Sequence, residues 1–324
     1  MNAARPYVSF VSYFRNDGYT SDFDLRVRRA TSFLVRQLQR AEIDAELILV
    51  EWNPPSDRPL IIESLDPLPQ GDCVQVRGVI VGREHHERFI GSQESGMNPA
   101  AAANVGLRRA EGRFVSPKAS DTYLSNEIIA TITRQDLHEN ALYRCDRCDV
   151  ALSPTLLRNL GDDALLSRLE SLDSTRYSHI PNPPQWYIRE LHTNACGDFT
   201  LLSRADWFRL RGYLEQDVFS WHLDSLFVLQ ALGAGCRQVV LGREAPVFHI
   251  EHGKGYTPEG AAELFSRLSA QGVPFLADSA LQRMESDIEA KRRSGAEILF
   301  NEESWGMASA PLPESQPLEA GTRP

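Results

Sequence analysis

Hydrophobic and polar positions alternate through the first half of the chain in a pattern that predicts strand, helix, strand. Tyr7-Val-Ser-Phe-Val-Ser-Tyr13 is β-branched and aromatic, as a buried strand requires, and it runs into the polar turn Arg15-Asn-Asp-Gly18. Asp22 or Asp24 then opens a helix whose apolar face carries Leu25, Ala30, Phe33, Leu34 and Leu38. A second strand over Ala45–Val50 reaches Glu51-Trp-Asn-Pro-Pro55, where proline ends the ladder. Val74–Val81 reads as a third strand, followed by a polar loop over 82–97. Pro99 opens the next helix, Ala100–Ala110, and Gly112 closes it. A short strand, Arg113–Ser116, leads to Asp121, and a helix over Asn126–His138 completes this half.

The second half is less regular. Residues 152–184 are polar and proline-bearing, which suits a helix plus an excursion over a site. The strand Gly197–Leu202, an amphipathic stretch Arg204–Arg211, the turn Gly212-Tyr-Leu-Glu215 and the helix Leu223–Gly233 follow. The strands Cys236–Leu241 and Ala245–Ile250 end in His249-Ile-Glu-His252. Residues 307–324 are rich in Pro, Glu, Ser and Gly and predict a disordered tail. Strand–helix alternation of this kind predicts an α/β domain with a mostly parallel sheet and ligands at the carboxyl ends of its strands. The polar clusters Arg15–Asp17, Glu51–Asn53 and Ser120–Asp121 all follow strands, so they are expected to line one crevice.

Composition narrows the function. With 324 residues, 42% hydrophobic and 24% charged, the chain can bury a sizeable core, which excludes collagen-like, disordered and disulfide-scaffold classes. A net charge of −10 argues against nucleic acid as partner, yet leaves room for a small phosphate-bearing ligand held by local cations or a metal. No stretch approaches the roughly 20 apolar residues that span a bilayer, and no signal peptide is visible. The 5 cysteines, odd in number and scattered, read as free thiols in a reducing cytoplasm. Cys145-Asp-Arg-Cys148 is half of a zinc-type pattern without its second pair.

The order of motifs carries a resemblance. An N-terminal strand and an acidic turn after the second strand precede Asn104-x-Gly106-x-x-x-Ala110-x-Gly112 and a strand ending near an Asp. Gly197-Asp-Phe, Gly212-Tyr-x-Glu215, an Asp opening a helix and a late His follow. Over roughly residues 5–255 this resembles the GT-A glycosyltransferases, in particular the family-2-like group that uses nucleotide-diphosphate sugars. The resemblance implies a Rossmann-like, mostly parallel central sheet flanked by helices, with a less regular acceptor-side half. It also implies a single catalytic domain over 1–306, its nucleotide-binding half over 5–140 and its acceptor-side half over 141–306.

Roles for individual residues come from the same resemblance. Asp121 occupies the last position of the family's DxD metal motif, of which Lys118-Ala-Ser-Asp121 keeps only that carboxylate. With His249 or His252 it would bind Mn2+ or Mg2+ against a diphosphate; the plainer alternative for Asp121 is a helix cap. Asp224 falls where the family has its catalytic base, with His222 as rival and helix capping as the alternative role. Glu51 would meet the base or ribose, with Arg15, Asp17 and Asn53 nearby, while Asn104 would approach the diphosphate and Asp198 the donor sugar or acceptor. The implied function is metal-dependent, inverting sugar transfer to a carbohydrate, lipid-linked or small-molecule acceptor, in the cytoplasm or at the inner face of a membrane. Two other readings stand beside it. The incomplete DxD would suit a catalytically weak nucleotide-sugar-binding protein. A sugar nucleotidyltransferase would need a Gly-rich phosphate loop, which Arg15-Asn-Asp-Gly-Tyr19 does not supply.

Overall fold

The computed structural model describes residues 5–18, 20–65, 73–179, 184–215, 218–252, 258–276 and 278–315. The first half runs β1 (Val8–Phe14), α1 (Phe23–Arg40), β2 (Ala45–Trp52), β3 (Val74–Val81), α2 (Arg83–His86), α3 (Pro99–Arg109), β4 (Phe114–Ala119), β5 (Thr122–Leu124) and α4 (Asn126–Thr133). After these come β6 (Ala141–Arg144), β7 (Arg147–Val150), α5 (Pro154–Asn159), α6 (Asp162–Ser171), β8 (Ser174–Tyr177), β9 (Leu202–Ser203) and α7 (Arg204–Leu210). The last elements are α8 (Leu223–Gly233), β10 (Arg237–Val240), β11 (Val247–Ile250), α9 (Pro258–Ala270), α10 (Asp278–Ser294) and β12 (Glu314–Ser315).

The main sheet has the order β12-β3-β2-β1-β4-β9. Its four central strands are parallel, and β9 and β12 close the two edges antiparallel. The fold is therefore α/β with a mostly parallel central sheet flanked by helices, as the alternation predicts. The chain moves outward from β1 to β2 and β3, then returns to place β4 on the other side of β1. That reversal opens a crevice beyond the carboxyl ends of β1 and β4.

Strand alternation distributes β1 between two cores. Val8, Phe10 and Phe14 join Val27, Leu34 and Leu38 of α1. Val11 joins Ala101, Ala102 and Val105 of α3. Asn98 caps α3 by accepting the Ala101 N–H, and Pro99 sits at its first position. The run of alanines lets α3 lie close to the sheet, and Gly106 marks the tightest approach. A Cβ there would stand 2.3 Å from Val11 Cγ1.

A second, four-stranded sheet has the order β5-β11-β7-β8. β11 runs parallel to β7 and antiparallel to β5. The parallel pair β6–β10 connects to the segment before β9 through a bridge between Tyr143 and Leu201.

Three expectations change. The strand predicted over Gly197–Leu202 shrinks to Leu202–Ser203, because residues 194–198 form a turn. The helix expected to reach His138 ends at Thr133. The tail predicted from Met307 is ordered through Ser315, where Glu314 and Ser315 pair with Val79 and Gly78 at the sheet edge. Arg109 explains this, since its guanidinium donates to the carbonyls of Gly306, Met307 and Ala310 and ties the segment down. Residues 316–324 lie outside the described residues.

The Gly106 contact gives a prediction of sign. Helix propensity alone would make Gly106→Ala stabilising by about 1 kcal/mol. The Val11 contact instead predicts destabilisation of about 1–3 kcal/mol, the usual range for overpacking. Urea denaturation of the variant decides between them, and a gain in stability would contradict the packing described here.

Candidate active site

The register of β11 assembles the site. His249 pairs with Thr122 on one side and Asp149 on the other. Asp121, in the turn between β4 and β5, immediately precedes Thr122. His249 Nδ1 lies 2.8 Å from Asp149 Oδ1, and its Nε2 lies 3.6 Å from Asp121 Oδ2. His252 follows within one turn of chain and brings its Nε2 to 2.9 Å from Asp121 Oδ2 and 3.1 Å from His249 Nε2. Arg147 forks onto Asp149 at 2.7 and 3.0 Å and reaches Asp198 at 3.0 Å. Lys118, also buried, donates to the Ala119 carbonyl at 2.9 Å.

Burial and pairing set the protonation of these groups in opposite directions. For Asp121, burial alone would favour the neutral acid. Hydrogen bonds from His249 and His252 override that and hold the carboxyl far below the ordinary range. Burial likewise disfavours a charged His249 ring, but Asp121 and Asp149 overcome it and hold the imidazole at about 9. Asp149 is held low despite its burial, by His249 and Arg147. Burial lowers Lys118 to about 8, with Asp121 and Asp198 resisting.

Asp224 opens α8 on the opposite side of the Gly197–Asp198 turn. Its Oδ2 accepts the Gly197 N–H at 2.9 Å and its Oδ1 accepts the Ser225 N–H at 2.8 Å. Tyr13, near the end of β1, donates its hydroxyl to the Gly197 carbonyl at 3.3 Å. Burial raises the Asp224 carboxyl above its ordinary range, with the Ser225 N–H and Arg144 resisting. His222 is exposed, precedes α8 with a left-handed backbone (φ +55°) and makes no side-chain cap.

Of the residues singled out in the sequence, Asp121, His249, His252 and Asp198 meet in one network. Arg15, Asp17 and Asn53 meet in another, beyond the ends of β1 and β2. There Arg15 pairs with Asp17 at 2.8 Å and donates to the Asn53 carbonyl at 2.8 Å. Glu51 and Asn104 sit elsewhere. Glu51 is buried, and its Oε2 accepts the Ile61 N–H at 2.9 Å. Asn104 is also buried; it accepts from Tyr213 N–H and donates to the Tyr213 carbonyl and to Glu215. Both serve the fold at these contacts: Glu51 pins the 58–62 segment, and Asn104 pins the Gly212–Glu215 turn to α3.

Lys118, Arg147 and Asp149 join the network without having been foreseen. A lysine in a central parallel strand, and the same-face pair Arg147-x-Asp149, were the signals for them. The CxxC is not a redox pair of low-pKa thiols, since burial pushes both Cys145 and Cys148 up.

Asp121, His249 and His252 each offer one ligand atom, and the three lie within 4.8 Å of one another. One carboxylate and two imidazoles converging on a point fit a divalent ion. The Asp149 contact to Nδ1 of His249 is the carboxylate–histidine support common behind such ligands.

No family model matches the sequence, and no curated protein matches it significantly. Among solved structures, residues 1–349 of S. aureus TarS share 14% identity at a TM-score of 0.48, covering 89% of this chain and 72% of that one. In fold the chain is similar to glycosyltransferases. The catalytic domain of Drosophila β1,4-galactosyltransferase 7, in complex with xylobiose, shares 12% identity at a TM-score of 0.39, covering 76% of this chain and 71% of that one. GalNAc-T7 with UDP, GalNAc and Mn2+ shares 15% identity at a TM-score of 0.48, covering 88% of this chain and 55% of that one. These likenesses concern the course of the chain alone.

Glu51 gives a pH test of its assigned role. Burial raises its carboxyl from 4.5 to about 7, with the Ile61 and Ile62 N–H groups resisting. The folded state therefore holds a proton that the unfolded state has released between those values. The Glu51 contribution to stability is fullest below pH 4.5 and is lost as pH rises through about 7, by about 3 kcal/mol in all. Glu51→Gln cannot ionise, so its stability relative to the parent should rise by about 2–3 kcal/mol from pH 5 to pH 8. Urea melts of both proteins at the two pH values measure this. A difference independent of pH would refute the buried-acid assignment.

Proposed function

We propose that the protein transfers a sugar from a nucleotide-diphosphate donor to an acceptor hydroxyl, inverting the anomeric centre. The observation that carries this reading is the convergence of Asp121, His249 and His252 at the carboxyl edge of β4, beside a turn whose other side holds Asp224. These three side chains would hold the metal ion together with the donor's phosphates, and their nitrogen donors favour Mn2+ over the harder Mg2+. A divalent ion bound there neutralises the charge that builds on the departing diphosphate.

The chain's own groups do the rest. Asp149 orients His249 through Nδ1, leaving Nε2 directed to Asp121. Arg147 holds Asp149 and Asp198 in place, which fixes the Gly197–Asp198 turn between donor and acceptor sides. Arg15, Asp17 and Asn53 line the nucleoside side at the ends of β1 and β2. Asp224 accepts the proton of the acceptor hydroxyl as its oxygen attacks the anomeric carbon and the bond to the diphosphate breaks. A carboxylate whose proton affinity is raised by burial suits that task. The acceptor is a hydroxyl of a carbohydrate, a lipid-linked sugar or a small molecule. All five cysteines are free, which suits a reducing cytoplasm. Among the described residues, no helix is long and apolar enough to cross a membrane.

Calorimetry with UDP, GDP, TDP and their sugar esters, with Mn2+ present, tests the donor class. One of these should bind, and Asp121→Ala should abolish the metal's contribution. Asp224→Asn should keep donor binding while turnover drops by roughly 10²–10⁴-fold. Proton NMR of the product should show the inverted anomer. Failure of every nucleotide to bind, a defect of Asp224→Asn in affinity alone, or a retained anomer would each overturn this reading. Binding without turnover in the parent would favour the nucleotide-sugar-binding alternative.

A further inference from the structure

A second cluster of imidazoles and a carboxylate lies one position before Arg147, in the short connection between β6 and β7. Asp146 Oδ1 stands 3.1 Å from His192 Nε2, and Asp146 Oδ2 accepts from Arg176 at 2.8 Å. His179 stacks at an angle against His192 with ring centroids 5.3 Å apart. One ligand atom from each of Asp146, His179 and His192 falls within a 4.8 Å group, and Glu190 Oε2 lies 3.4 Å from His179 Nε2.

The protein alone leaves this cluster under-satisfied. Nδ1 of His192 and Nδ1 of His179 are both shielded from solvent, and neither has a hydrogen-bond partner among the described residues. His192 itself has no exposed surface. Buried polar atoms are nearly always paired, so two orphaned imidazole nitrogens in one cluster point to a missing partner. We propose that Asp146, His179 and His192 form a structural zinc site, separate from the Asp121 cluster and independent of the sugar-transfer reading. Two imidazoles and a carboxylate are a common zinc donor set.

The site's place in the chain suggests what it does. His179 and His192 stand at the two ends of one stretch, and Asp146 stands on the framework beneath it. An ion held by all three fastens both ends of that stretch to the β6–β7 connection. Immediately beyond His192, Arg144 donates to the carbonyls of His192, Asn194 and Cys196 and to the Thr200 hydroxyl, carrying the anchorage on toward the Gly197–Asp198 turn.

Zinc content after equilibrium dialysis of the full chain without nucleotide tests this directly. Asp121→Asn, which disables the other cluster, should retain one equivalent of zinc. Adding His179→Gln, at a half-buried position where folding is safe, should remove it, and Asp146→Asn in place of His179→Gln should do the same. Zinc should also slow tryptic cleavage at the exposed Arg189 in Asp121→Asn and have no such effect once His179 is replaced. The proposal is overturned if Asp121→Asn binds no zinc, or if its zinc and its protection survive His179→Gln. Should Asp146→Asn fail to fold, the His179→Gln comparison decides alone.

Discussion

His249 is the residue on which the site depends, because it is shared between two carboxylates that the fold would otherwise hold apart. β11 lies between β5 and β7, so a single imidazole meets Asp149 through one nitrogen and faces Asp121 with the other. Burying three carboxylates together is costly unless each is paired. Arg147 supplies the pairing for Asp149 and Asp198, and the two histidines supply it for Asp121.

The surrounding architecture explains why these groups can be held so firmly. The strand order places a crevice at the ends of β1 and β4, and Tyr13 spans it to the Gly197 carbonyl. On the far side of the sheet, the alanine face of α3 and the missing side chain at Gly106 bring helix and strand into close contact. Asn104 then ties α3 to Tyr213 and Glu215, while Asn301 bonds the same turn from the C-terminal side. That lock supports the chain just before α8, and hence the position from which Asp224 reaches Gly197. The Asn104 and Gly212–Glu215 motifs are thus two halves of one internal bond set.

Most of the parallel sheet was legible in the sequence, since β1, β2 and β3 are apolar, β-branched runs, α1 carries one apolar face and α3 opens on Pro99. Asp121, His249, His252 and Asp198 were singled out through the order of motifs in the family resemblance, and the structure brings the four into one network. Of the small sheet only β11 was legible, as the strand expected over Ala245–Ile250. β5, β7 and β8 are three or four residues long, and their pairing is decided by tertiary contacts that leave no period in the chain. Arg147 and Asp149 stayed hidden with β7. Glu51 and Asn104 face inward in the structure, as a polar residue after a strand or on a helix does when a backbone group awaits it. The ordered segment after Met307 escaped notice because its anchor is a single distant arginine, Arg109.

The proposed function stands or falls on whether Asp121, His249 and His252 hold one metal ion against a diphosphate. Crystals grown with Mn2+ and the nucleoside diphosphate that binds best, measured at a wavelength where manganese scatters anomalously, decide this. One strong peak is expected within about 2–2.3 Å of the Asp121 carboxylate, the Nε2 atoms of both histidines and the diphosphate oxygens. A diphosphate bound elsewhere, or one seated at Asp121 while His249 still faces that carboxylate with no metal between them, would contradict it.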